Sequence, residues 1–189
     1  MNPILDWLSG GDLRSDGMAN EVADLVLKNP GLFDEVIMGL DETNDVIRGR
    51  TTDALEKIAR VKPDLLVEHL PKLLQVTTED TVPMVKMHLA MILGHLALYK
   101  EHAESLTECL LNLLEDDSVF TRSWAIVSLC IFARKYPHLQ PQIVDCIAAY
   151  GRDNSIAIRT RVQKALELLT NEGAPFPKGW IKSVHLMGL

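Results

Sequence analysis

Aromatic residues are scarce, at 5% of the sequence, and no stretch alternates apolar with polar residues through β-branched clusters. The first scarcity leaves Leu, Ile, Val, Ala and Met to build the core, and the second excludes strands. Cysteine is sparse too. Cys109, Cys130 and Cys146 sit inside apolar helical runs, and none has the C-x-x-C spacing of a metal or redox site. They read as small buried hydrophobes in a reducing compartment. Every apolar run is interrupted by Lys, His, Arg or Glu before it reaches membrane-spanning length. The N-terminus lacks the basic segment and apolar core of a secretory signal. These absences point to a soluble, cytoplasmic chain. Positive charge is also in deficit, with 19 Lys and Arg against 26 Asp and Glu and a net charge of −7. A duplex-binding surface needs cations to displace counterions from phosphates, so the balance argues against nucleic acid as a partner.

What the 189 residues do contain is a repeat. An apolar residue is followed by a basic one, then a small or apolar residue, then a small residue next to Leu. The copies are Ile47-Arg48…Thr51…Ala54-Leu55, Val85-Lys86…Leu89…Ile92-Leu93, Thr121-Arg122…Ala125…Ser128-Leu129 and Ile158-Arg159…Val162…Ala165-Leu166. They are offset by 38, 36 and 37 residues. The internal spacing marks one face of an α-helix. After each of the first three copies comes a second amphipathic run: Leu66, Leu70, Leu73 and Leu74 from near Pro63, then Leu106, Leu110 and Leu113, then Leu139, Ile143 and Ile147 from near Pro137. Proline suits a first helical turn, where a missing N–H costs little. A looser pair over 21–28 and 32–40, joined by Asn29-Pro30-Gly31, reads as a divergent first repeat. Gly173, Pro175 and Pro177 stop the last helix.

The expected organisation is therefore an N-terminal cap over 1–14 and a repeat array over 15–172, followed by a tail over 173–189. The repeats run over about 15–42, 43–79, 80–115, 116–152 and 153–172. Each hairpin is too small to hide its apolar face alone, so stacked neighbours form one core and the ends need covers. Ile4, Leu5, Trp7 and Leu8 are candidate covers at one end, and Phe176, Trp180 and Ile181 at the other. The tail either folds back as a cap or serves as a docking peptide.

These four copies resemble the HEAT-repeat family, and the bacterial and archaeal HEAT-like repeats in particular, over about residues 31–170. The resemblance implies an all-α fold, a right-handed α-α superhelix of about 4–5 hairpins. It also implies an Asp/Arg ladder between adjacent repeats. An acid does stand six residues before each basic position: Glu42, Asp80, Asp116 and Asp153 before Arg48, Lys86, Arg122 and Arg159. Lys86 in place of Arg and Thr121 in place of an aliphatic residue depart from the pattern.

In that family the first helices line a convex side and the second helices a concave one. The first helices here are basic, through Arg48, Arg50, Lys57, Arg60, Lys86, Arg122, Arg134, Arg159 and Arg161. The second helices and their exits carry mostly acids, and aligned copies place Glu68, Lys72, Glu104, Glu108 and Asp145 in the concave groove. The expectation is a groove that takes a basic or polar segment of a protein partner, with a solvated helix face as the plainer reading. Met87, Met91, Trp124 and Val127 mark a second candidate surface, an apolar outer patch at the middle of the stack that would suit a partner or a second copy in a homodimer.

No catalytic, cofactor or metal constellation emerges. His88, His95 and His102 are seven residues apart, two helical turns, too far for two ligands on one ion without a third element between them. The His-Glu dipeptides by which some HEAT-repeat hydroxylases hold iron are absent. Gly10-Gly11 lacks the strand and Lys-Ser/Thr of a phosphate loop. The reading is a non-catalytic scaffold or adaptor for protein–protein interaction. The alternatives are a HEAT-like lyase or hydroxylase-type enzyme or its accessory subunit, and a nucleic-acid binder using the basic convex face.

Overall fold

A computed structural model describes residues 2–171 and 173–189, all in helices, turns and loops, with no strand among them. Met1 and Glu172, where the expected cap begins and the last repeat ends, lie outside the described residues. No helix among those described is long and apolar enough to cross a membrane. The chain divides into two compact units, 1–92 and 93–189.

The first unit holds α1 (Pro3–Leu8), α2 (Ala19–Lys28), α3 (Phe33–Ile37), α4 (Asp45–Ala59), α5 (Asp64–Val67), α6 (Leu70–Glu79) and most of α7 (Pro83–His95). The central helix of this unit is α4, against which α1, α2 and α3 pack. Leu55 and Ile58 of α4 join Leu8, Val22, Val26, Val36, Leu66 and Leu73 in a core closed to solvent. The Asn44 side chain caps α4 by accepting from the Val46 and Ile47 N–H groups at 2.8 and 3.4 Å. The second helix expected to run on from Pro63 is instead split into α5 and α6. Pro71 has no N–H to return to the Val67 carbonyl, so the helix breaks at Glu68 and His69 and restarts.

The second unit holds the end of α7, then α8 (Ala103–Asn112), α9 (Val119–Lys135), α10 (Gln140–Ala148), α11 (Ile156–Thr170) and the tail. Here α9 is central, flanked by α8, α10 and α11. Eleven of its residues between Thr121 and Ala133 are buried, so it is enclosed on nearly every side rather than amphipathic. Of the four repeated leucines, Leu55, Leu93 and Leu129 are closed to solvent. Leu166 is only half-buried, while Ala165, Leu168 and Leu169 turn inward. The last helix packs against α9 and α10 but has no further repeat on its other side, so the position that faces a successor elsewhere stays wetter.

Candidate functional site

The acids of the repeat hold two jobs at once. Asp80, Asp116 and Asp153 each accept, through one carboxylate oxygen, the N–H two residues on, at 2.7, 2.9 and 2.7 Å, which fixes the entry turn of the following first helix. The other oxygen of Asp80 receives Arg48 Nε of the preceding repeat at 2.7 Å, and that of Asp153 receives Arg122. Arg48 Nη1 also donates to the Glu42 and Thr43 carbonyls at 2.9 and 3.1 Å, and Arg159 binds the Asp153 and Asn154 carbonyls in the same way. Each arginine thus staples the entry of its own helix, and Arg48 and Arg122 carry that staple on to the entry of the next. The Asp153 carboxyl is held below its usual value, first by the Ser155 N–H and then by Arg122. These charges are consumed by the architecture.

Second-helix residues carry the acidic surface. In the first unit, Glu68 is exposed at the break after α5, and Lys72, in the first turn of α6, pairs with Asp41 of the preceding repeat. In the second unit Glu104 and Glu108 share one exposed face of α8, and Asp145 is exposed on α10. Glu104 accepts from His138 Nε2 at 3.2 Å. Its carboxyl is held below its ordinary value, first by its own backbone N–H and then by His138. Three more cross-repeat contacts escaped the sequence reading: Lys72 to Asp41, Tyr150 to Glu115, and His69 to Asp34 at 3.2 Å. Their signal was there, since each pair is separated by close to one repeat length, but a charge pair at that spacing is visible only after the register is known.

The apolar outer patch is a correction. Met91 is 4% exposed and Val127 1%, while Met87 and Trp124 are half-buried. Met91 lies one turn from His88, which reaches Thr52 of α4, so this side of α7 packs inward. Trp124 is covered by the tail, with Lys182 Nζ 4.6 Å from its ring. No exposed apolar surface is left at these four residues for a second copy to cover. The tail itself folds back onto the second unit as a cover. Trp180, Ser183 and Leu186 are buried, and Arg161 Cζ stands 5.1 Å from the Trp180 ring. Arg134 Nη2 donates to the Leu168 and Ala174 carbonyls at 2.9 and 2.8 Å.

One cluster has the outline of a catalytic triad. His88 Nδ1 lies 3.3 Å from Thr52 Oγ1, and His88 Nε2 lies 3.6 Å from Asp53 Oδ1. The Thr52 hydroxyl is closed to solvent and donates to the Gly49 carbonyl at 2.9 Å, so it is no nucleophile. Burial holds the His88 imidazole below the ordinary value of 6.5, and the nearby Asp53 and Glu56 charges only partly offset it. The unfolded chain therefore takes up this proton first as the pH falls. The contribution to stability is complete above 6.5 and is lost as the pH falls below it toward the folded-state value. Urea midpoints measured from pH 8 to 5 should fall further for the wild type than for His88→Gln. Among the thiols, burial pushes Cys109 up to about 11 and Cys130 up to about 12, which removes both as nucleophiles at neutral pH. Among the described residues no group of three His, Cys, Asp or Glu side chains could hold a metal ion.

No family model and no curated protein matches the chain. Solved structures do. An engineered protein superposes with a TM-score of 0.62 at 16% identity, covering 91% of this chain and 80% of its own. A second engineered protein gives 0.64 at 18% identity over 89% and 80%. A designed armadillo repeat protein in complex with the peptide (KR)4 gives 0.61 at 17% identity over 89% and 81%. The fold is an all-α solenoid of armadillo-like repeats. At this identity the neighbours establish the solenoid and leave the HEAT pattern as a resemblance of sequence.

Proposed function

We propose that this solenoid is a non-catalytic protein-interaction scaffold that captures a Lys- or Arg-rich segment of a partner on its second-helix surface, through Glu104, Glu108 and Asp145 in the second unit and Glu68 beside Lys72 in the first. The observation that carries the reading is the stretch 101–117. It holds Glu101, Glu104, Glu108, Glu115, Asp116 and Asp117 and no Lys or Arg. Glu101, Glu104, Glu108, Glu115 and Asp117 are exposed. Like charges gathered on one face repel each other and draw in an oppositely charged ligand. The designed armadillo neighbour solved with (KR)4 shows that a solenoid of this fold is compatible with a basic peptide.

Nucleic acid is the weaker reading because the basic side chains of the first helices are spent inside the protein. Arg50 is buried, Arg48 and Arg122 hold aspartates, Lys57 holds Asp53, and Arg60 holds Glu56. Few of these charges remain to displace counterions from phosphates.

Anisotropy with a fluorescent Lys-Arg peptide tests the proposal. In low salt, the double variant Glu104→Lys, Glu108→Lys should lose affinity by about tenfold or more. The gap should shrink at high salt, where the screening length falls to about 3 Å near 1 M. Equal affinities of the two proteins in low salt would end the proposal.

A further inference from the structure

A cavity of about 150 Å³ lies beneath the N-terminal loop of the first unit, lined among others by Leu13, Asp16, Arg50, Asp53, Met84 and His88. It is on the first helices and owes nothing to the acidic second-helix face. The loop is held in place by Arg50 and by Gly49, where the Leu13 side chain occupies the space a Cβ would need.

The hydrogen bonding of His88 leaves the cavity with an unmet demand. The Thr52 hydroxyl is committed as a donor to the Gly49 carbonyl, so toward His88 its oxygen can only accept. The imidazole also donates to the Gly49 carbonyl itself. Nδ1, 3.3 Å from Thr52 Oγ1, must therefore carry the ring proton. In the neutral ring Nε2 is then a bare lone pair. It stands 3.6 Å from Asp53 Oδ1, another acceptor, in a side chain nine-tenths buried. Asp53 is already served on its other oxygen by Lys57 at 2.6 Å. Two acceptors facing one another across that gap call for a donor between them.

We infer that this cavity is a receptor for a primary ammonium group, whose N–H donors reach His88 Nε2 and Asp53 Oδ1 while Asp16 at the rim supplies further negative charge. A hydroxyl has one donor to offer two acceptors. A divalent metal would find too few ligands and would sit beside the Arg50 guanidinium. The other charges around the site are matched locally: Arg14 with Asp12, Lys57 with Asp53, and Arg60 with Glu56. The ammonium can belong to a free small amine or to a lysine side chain of a partner.

Long-range 1H–15N spectra of the histidine rings at pH 8 test this directly. In the free protein His88 should show a protonated Nδ1 and an unprotonated Nε2. Methylammonium should shift Nε2 in a saturable way. Tetramethylammonium, with equal charge and no N–H, should leave it unmoved. Asp53→Asn should weaken the response by about tenfold or more, with its melting temperature recorded to show that it folds. If a peptide containing one lysine produces the same shift, the source is a partner side chain. If methylammonium acts and the peptide does not, the source is a free amine. A proton on Nε2 in the free protein, equal responses to the two cations, or no response to either would overturn the inference.

Discussion

Arg50→Ala should destabilise the protein by about 3 kcal/mol and release the N-terminal segment to protease, because it removes a charged donor and strands the groups it served. Arg50 is 4% exposed and has no carboxylate among its hydrogen-bond partners. Its guanidinium spends its donors on the N-terminal loop: the Leu8, Ser9, Asp12 and Ser15 carbonyls at 3.2, 2.8, 3.2 and 3.3 Å, and the Ser15 hydroxyl at 3.2 Å. The loop wraps so closely that a Cβ on Gly17 would fall 2.6 Å from Arg50 Cζ, and Gly17 has φ +53. Arg50→Lys should recover only part of the loss, since an ammonium carries three donors in place of a planar fork of five. Urea unfolding gives the stability, and limited proteolysis reports cleavage within 9–18. An Arg50→Ala protein as stable and as resistant as the wild type would show that the loop is held by its apolar contacts alone.

The second large effect is a contrast between two leucines that the repeat makes equivalent. Leu129→Ala should cost about 3–4 kcal/mol, and Leu166→Ala about 1–2 kcal/mol. Leu129 is closed to solvent on the central helix of the second unit, with helices on its flanks to hold a cavity open once the side chain is removed. Leu166 is half-buried on the last helix, where water already reaches part of the side chain. Denaturant midpoints of the two variants give the comparison, and equal losses would mean that α11 is as enclosed as α9.

The repeat was legible because its apolar spacing and its basic position recur at nearly constant offset, and helical stacking demands that regularity. Asp80 and Asp153 could be paired with Arg48 and Arg122 on the same ground. The break at Pro71 was also written in the chain, as a missing N–H one turn after Val67, but the leucine periodicity running through it concealed it. The outward-facing patch was misjudged for a different reason. Met91 and Val127 occupy columns that are polar in the terminal copies, and the inference of exposure assumed that equivalent columns have equivalent neighbours. In a central repeat the flanks are filled, and in the last the tail comes back over Trp124.

By itself, then, the sequence determined that this chain is helical, that its helices pair and stack in a fixed register, and that its acids gather on the second helices. Those properties are local or periodic, set by i to i+4 geometry and by the need of each hairpin to hide one face. Only the tertiary structure decided which charges remain for a partner, how the two termini are tied down, and where His88 meets Asp53. Each of these depends on groups brought together from distant parts of the chain, and hydrogen-bond stoichiometry at such meetings has no period to read.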